Sequence, residues 1–163
     1  TLATAKDDTT LAKAMVAVDS IDAPKAKETV LKDSMLAGLS TITILNKSTL
    51  TGVLSKANSP YLIVGVVQVP AGEELVVEEG VEVHFSPQRK SGLQVFGSLK
   101  VSGTAAEPVR FSSMSNNPTA GDWDRIQITG NKPSELNFVE ISHGDVSLHI
   151  ENSSLVLNNV KIN

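Results

Sequence analysis

LNFVEI at residues 136–141 and LNNVKI at residues 157–162 agree at four of six positions, and the second copy follows the first by 21 residues. Both alternate apolar with polar side chains, the period of a strand with one buried face. A repeat of that length, built from strands, marks a solenoid whose coils stack on one another. The segments upstream have the same character. Residues 59–102 read SPYLIVGVVQVPAGEELVVEEGVEVHFSPQRKSGLQVFGSLKVS, short alternating runs broken by glycine and proline. Inward positions fall at Ile63, Val67 and Val69, Leu75 and Val77, Val81, Val83 and Phe85, Leu93 and Val95, and Leu99 and Val101. Val109 and Phe111, Trp123, Ile126 and Ile128, then Leu136, Val139 and Ile141 continue the series, and Leu148, Ile150, Leu157, Val160 and Ile162 complete it.

Two or three strands of three to five residues per turn suit a three-sided coil of about 20 to 25 residues. A sandwich would show longer strands at even spacing with hairpin signals. Asn-Gly and Asp-Gly, the strongest of those signals, are absent. The expected fold is mainly β: a right-handed parallel β-helix of about four to five coils, with a short α-helical cap at its N-terminal side. Residues 1–50 are read as arm and cap, and residues 51–163 as the solenoid. In the cap, Leu11, Ala14, Met15 and Val18 recur at helical spacing. Pro24 suits the first turn of a second helix that Gly38 would end. Residues 41–45 alternate threonine with isoleucine, a strand signal, and residues 46–56 read as a polar transition.

Composition agrees with stacked aliphatic layers. The 163 residues are 40% hydrophobic and 20% charged but only 4% aromatic. A net charge of −4 without a basic run argues against nucleic acid as a partner. The chain has no cysteine, so neither disulfides nor thiolate metal sites arise. No run of eighteen apolar residues is present to span a membrane.

The run from Ser59-Pro60-Tyr61 through Val69-Pro70-Ala71-Gly72 to Gly80-Val81-Glu82-Val83 and Phe85 resembles the opening coils of secreted bacterial β-helix proteins of the pectin-lyase-like superfamily. Leu93 to Thr104, Pro108 to Ser113 and Gly121 to Ile126 are similar to the coils that follow, with Asp124 and Arg125 standing where small residues are usual. The likeness runs from about Val53 to Asn163 and is strongest for the repeat-rich, mostly non-catalytic members. It implies the fold and an extracellular or cell-surface setting. The superfamily also hosts lyases and hydrolases, so activity does not follow from it.

Cleavage of a glycosidic bond needs two carboxyls about 5–10 Å apart. The candidates are Asp122, Asp124, Glu135, Glu140 and Asp145. The repeat places Lys161 beside Glu140, an exposed cross-coil ion pair, and aligns Asn137 with Asn158 as the start of an amide ladder. Arg125-Ile126-Gln127 only grazes the basic motif of the superfamily's hydrolases, whose acidic motifs are missing. His143 and His149 lack a third metal ligand, and the serines have no base nearby in sequence. No catalytic, cofactor or metal residue is therefore assigned. Asp122, Trp123, Asp124 and His143 stand as the candidate ligand contacts. Leu11, Met15, Val18, Val160 and Ile162 stand as a candidate junction between subunits, because the chain stops at Asn163 in mid-strand. That stop has two readings: a piece of a longer solenoid, or head-to-tail assembly.

The function expected is a non-enzymatic extracellular scaffold or adhesive surface protein, with itself or an extracellular polysaccharide as partner. The alternatives are a fragment of a polysaccharide lyase or hydrolase, and a carbohydrate-binding module.

Overall fold

The computed structural model describes residues 41–87 and 90–163. The two helices expected within residues 9–38, and with them Leu11, Met15 and Val18, lie outside the described residues. Among the described residues, thirteen strands carry nearly all of the regular structure. They are β1 (Thr43–Leu45), β2 (Gly52–Leu54), β3 (Tyr61–Ile63), β4 (Val66–Val69), β5 (Glu74–Val77), β6 (Glu82–Phe85) and β7 (Gly92–Val95). Then come β8 (Ser98–Ser102), β9 (Val109–Ser113), β10 (Trp123–Ile128), β11 (Ser134–Ile141), β12 (Gly144–Ile150) and β13 (Leu155–Ile162). A 3-10 turn spans Lys56–Asn58.

Every strand pairing is parallel, and each joins one coil to the next. The first face stacks β1, β3, β6, β9 and the C-terminal half of β11. The second stacks β4, β7, β10 and β12. The third stacks β2, β5, β8 and the N-terminal half of β11. Because β11 and β13 each run around a corner, the first and third faces merge into one folded sheet. The chain is a parallel β-helix.

Inside it, side chains stack in columns. Thr43, Tyr61, Val83, Phe111, Ile141 and Ile162 follow one another along the first face. Val67, Leu93, Ile126 and Leu148 do so along the second. Leu54, Val77, Val101, Leu136 and Leu157 line the third. The middle of each column is fully buried, with Val77, Val83, Val95, Val101, Ile126 and Ile141 at 0% exposure. All the inward positions expected from Ile63 through Ile141 are buried. The register of the repeat is also as expected, with Leu136 on Leu157, Val139 on Val160 and Ile141 on Ile162.

Two stretches differ from expectation. Residues 46–56 are not merely a transition: Thr49 bridges to Gln68, Leu50 and Leu54 are 1% exposed, and β2 pairs with β5. Leu50, Val53 and Leu54 give no alternation to read, yet both leucines reach the core. In the last coil, Ile150, Leu157 and Ile162 are 42%, 47% and 52% exposed, while Leu148 and Val160 are partly buried. They carry the inward pattern, but no further rung of the described residues lies over them.

The corners between the second and third faces close tightly. A Cβ on Gly97 would come within 2.0 Å of the Glu73 carbonyl oxygen, and one on Gly130 within 2.0 Å of the Gly97 carbonyl oxygen. Only glycine lets the backbones of successive coils approach so closely.

Replacing Val95 by aspartate should destabilise the fold by about 4 kcal/mol or more, since the charge would enter a dry column without a partner. Thermal melting of Val95→Asp checks this. An unchanged melting temperature would mean that the register of the second face is wrong.

Candidate functional surface

Three regions outside the core hold the side chains with chemical potential. The first is the loop of residues 114–122 with the start of β10. Here Asp122 is a brace. Its Oδ2 accepts hydrogen bonds from the Ser113 hydroxyl (2.6 Å) and the Thr119 N–H (3.2 Å), and its Oδ1 accepts one from the Thr119 hydroxyl (2.7 Å). These donors hold its carboxyl below the ordinary carboxylate value, the Ser113 hydroxyl first and Thr119 next, with a smaller pull from His143.

Trp123 is 1% exposed, so a ligand contact by its ring is corrected to a core role. The ring stacks on Phe85 at 4.1 Å with an 11° tilt, and its Nε1–H donates to the Ser142 carbonyl at 2.9 Å. A tryptophan in a turn is ambiguous in sequence, and the aromatic column that receives it needs the cross-coil register to be seen. Asp124 lies at the register shift between β10 and β12, where Arg125 holds its Oδ1 at 2.9 Å through Nε and Nη2. Asp145 is exposed on the neighbouring coil. His143 adopts φ +65°, and its Nδ1 is buried without a hydrogen-bond partner among the described residues. The structure thus brings Asp122, Asp124, Asp145 and His143 to one side of the helix.

The other two acidic candidates sit elsewhere. Glu135 is on the outer side of the third face and accepts from the Asn137 amide at 2.9 Å. Glu140 is on the first face, between Arg110 (3.1 Å) and Lys161 (3.7 Å). Arg110 also reaches Glu82 at 3.6 Å, so the expected Glu140–Lys161 pair is the end of a longer row, Glu82–Arg110–Glu140–Lys161. Glu82 pairs in register with Arg110, and Arg110 with Glu140. Loops of different length separate these strands in the chain, which hides the row from a search for a constant period. Beside it the His84 Nδ1 lies 3.0 Å from the Ser112 hydroxyl, and its Nε2 lies 3.7 Å from Glu82. Sequence reasoning gave Ser112 no base, because its partner stands 28 residues away. The second face carries a matching polar row. The Gln68 amide donates to Gln94 at 2.9 Å, and Gln127 pairs in register with both Gln94 and His149. Asn158 donates to Asn137 at 2.7 Å, so the expected amide ladder is present.

The third region is a half-open cleft of about 250 Å³ at the corner between the third and first faces. Thr104, Ala105, Pro108, Phe138, Glu140, Asn159 and Lys161 line it. Phe138 and Asn159 each form a one-residue corner at positive φ, +48° and +54°.

Among the described residues, no group of three or more His, Asp or Glu side chains is placed to hold a metal ion, and no helix is long and apolar enough to cross a membrane. The sequence matches the family described as a pectate-lyase like beta helix domain over residues 46–149. The chain belongs to that family. No curated protein and no solved structure matches it. The family match and the stacked parallel strands agree on architecture.

The Asp122 brace sets a pH dependence. A carboxyl whose folded value is depressed adds stability that is complete above its ordinary value of 3.8 and is lost as pH falls through the lowered value. The Thr119 amide should therefore exchange slowly at neutral pH and lose protection only below about pH 4, after correction for intrinsic rates. In Asp122→Asn the protection should be weak at all pH values. Hydrogen exchange read by NMR checks both, and equal protection in the variant would refute the assignment.

Proposed function

We propose that this β-helix is a non-enzymatic extracellular scaffold, an adhesive or spacing element of a cell surface. The observation that supports it most is the use made of the outward rows. Glu82, Arg110, Glu140 and Lys161 spend their charges on one another across four coils, and Gln68 and Gln94 do the same with their amides. Each exposed pair contributes little stability alone. As rows they keep neighbouring coils in register and leave a hydrated outer surface. The five candidate carboxylates are spread over all three sides, and four of them are held by neighbours.

An assay of the purified protein on pectate, alginate and xylan should show no release of unsaturated or reducing ends. Turnover that disappears in Asp124→Asn or Asp145→Asn would overturn the reading in favour of a polysaccharide-cleaving enzyme, because those two carboxylates lie on adjacent coils at the register shift.

A second reading, head-to-tail association, is favoured by the last rung. Among the described residues β13 pairs only with β11, and Leu157 and Ile162, which carry the inward pattern, are each about half exposed. In this reading Val160 and Ile162 of one copy meet Leu11, Met15 and Val18 of the next, a contact that does not close and propagates as a filament. Sedimentation velocity of the 163-residue chain should then show concentration-dependent polymers that vanish when residues 1–20 are deleted. A monomer at every concentration would contradict it.

A further inference from the structure

The two copies of the internal repeat differ at only two positions, Phe138 against Asn159 and Glu140 against Lys161. The four positions that agree build the coil: Leu136 and Leu157, Val139 and Val160, and Ile141 and Ile162 carry the inward pattern, while Asn137 and Asn158 form the amide ladder. All four residues that differ line the corner cleft, with Thr104, Ala105 and Pro108 as its opposite wall. Divergence in an otherwise repeated unit is therefore confined to one concave patch.

Phe138 is the costly choice among them. Its backbone is left-handed, φ +48°, a conformation that glycine or asparagine adopts readily and a bulky residue does not. The next coil has asparagine at the same corner, with φ +54°. A strained aromatic, half-buried and facing a cleft, is the kind of outlier that points to a ligand.

The chemistry of the cleft narrows the ligand. Glu140 Oε1 and Lys161 Nζ are 3.7 Å apart, too far for a direct hydrogen bond, and one oxygen seated beside the pair can lie within hydrogen-bond distance of both. A hydroxyl satisfies both at once, donating to the carboxylate and accepting from the ammonium. A ligand carboxylate can only accept, and it would face Glu140. The Asn159 amide and Thr104 hydroxyl add donors and acceptors of both kinds. The ring of Phe138 and the side chains of Ala105 and Pro108 supply the apolar surface. At about 250 Å³ the cleft is smaller than the roughly 300–1,000 Å³ of drug-sized sites, so it holds one ring unit.

We propose that this corner is a binding site for a single neutral pyranose unit, free or within a glycan, stacked against Phe138 and hydrogen-bonded through a hydroxyl between Glu140 and Lys161. The site goes beyond the scaffold reading and does not depend on it, since binding requires no turnover and no assembly.

The test uses the 163-residue chain, titrated with methyl glycosides of glucose, galactose and mannose and with short neutral oligosaccharides, against oligogalacturonate as the anionic arm. Amide chemical shifts report the site. At least one neutral sugar should move the resonances of Phe138, Asn159 and Lys161 with saturable, millimolar affinity, and oligogalacturonate should bind there more weakly. Phe138→Asn installs the residue of the adjacent coil, so the fold should hold and the melting temperature should stay level or rise. Its affinity should nevertheless drop by about tenfold, the upper end of what one aromatic contact contributes. Glu140→Gln should weaken binding without loss of fold. The proposal is overturned if no neutral sugar shifts these amides, if Phe138→Asn binds as tightly as the parent protein, or if oligogalacturonate binds there as well as the neutral sugars do.

Discussion

Everything in this protein depends on one contact: the inward side chain of one coil seated on the inward side chain of the next, about 4.8 Å away along the axis. The parallel backbone ladder fixes that spacing and orientation, and the columns of Val, Leu and Ile fill the interior. Neither works alone. A rung cannot bury its apolar side by itself, and a ladder without the columns would leave polar backbone to compete with water. Burial along the axis is greatest in the middle coils, where Val83, Val95 and Ile126 are sealed, and falls off in the last described coil, where Ile150, Leu157 and Ile162 are open.

This constraint fixes the interior and frees the exterior. Positions facing out need only tolerate a neighbour of the same kind one rung away, and the rows show three solutions. Alternating charges run through Glu82, Arg110, Glu140 and Lys161. Amides pair between Gln68 and Gln94 and between Asn137 and Asn158. His84 meets Ser112. The loops between the first and second faces are freer still. The longest of the described ones, residues 114–122, is pinned at its end by Asp122 and by the stack of Trp123 on Phe85. Asp122, which looks reactive in a linear reading, here fastens a loop to a coil.

Much of the architecture was legible because strand alternation survives in sequence wherever both inward residues of a rung are aliphatic. The repeat at Leu136 and Leu157 gave fold and register together, since its coils are joined without insertion. Leu50 and Leu54 escaped notice because Leu50, Val53 and Leu54 follow no period of two. The outward rows were mostly illegible for a different reason. Arg110 and Glu140 are 30 residues apart, while Glu140 and Lys161 are 21 apart, so only the short coil announces its partner. Trp123 carried two meanings in sequence, platform or core, and only the column of Phe85 and Phe111 decides between them. The corner cleft was out of reach, because its walls come from residues 104–108 and from two later coils.

The register of stacking can be tested by disulfide trapping, since the chain has no cysteine of its own. Lys100 and Glu135 face each other in register across β8 and β11, on the outside of the third face. Their Cα atoms should lie about 5 Å apart, within disulfide reach. The account predicts that Lys100→Cys with Glu135→Cys closes rapidly under mild oxidation and raises the melting temperature. Ser102→Cys with Glu135→Cys, displaced by two residues, should stay reduced. Equal closure of both pairs, or closure of the displaced pair alone, would contradict the stacked register on which the whole structure rests.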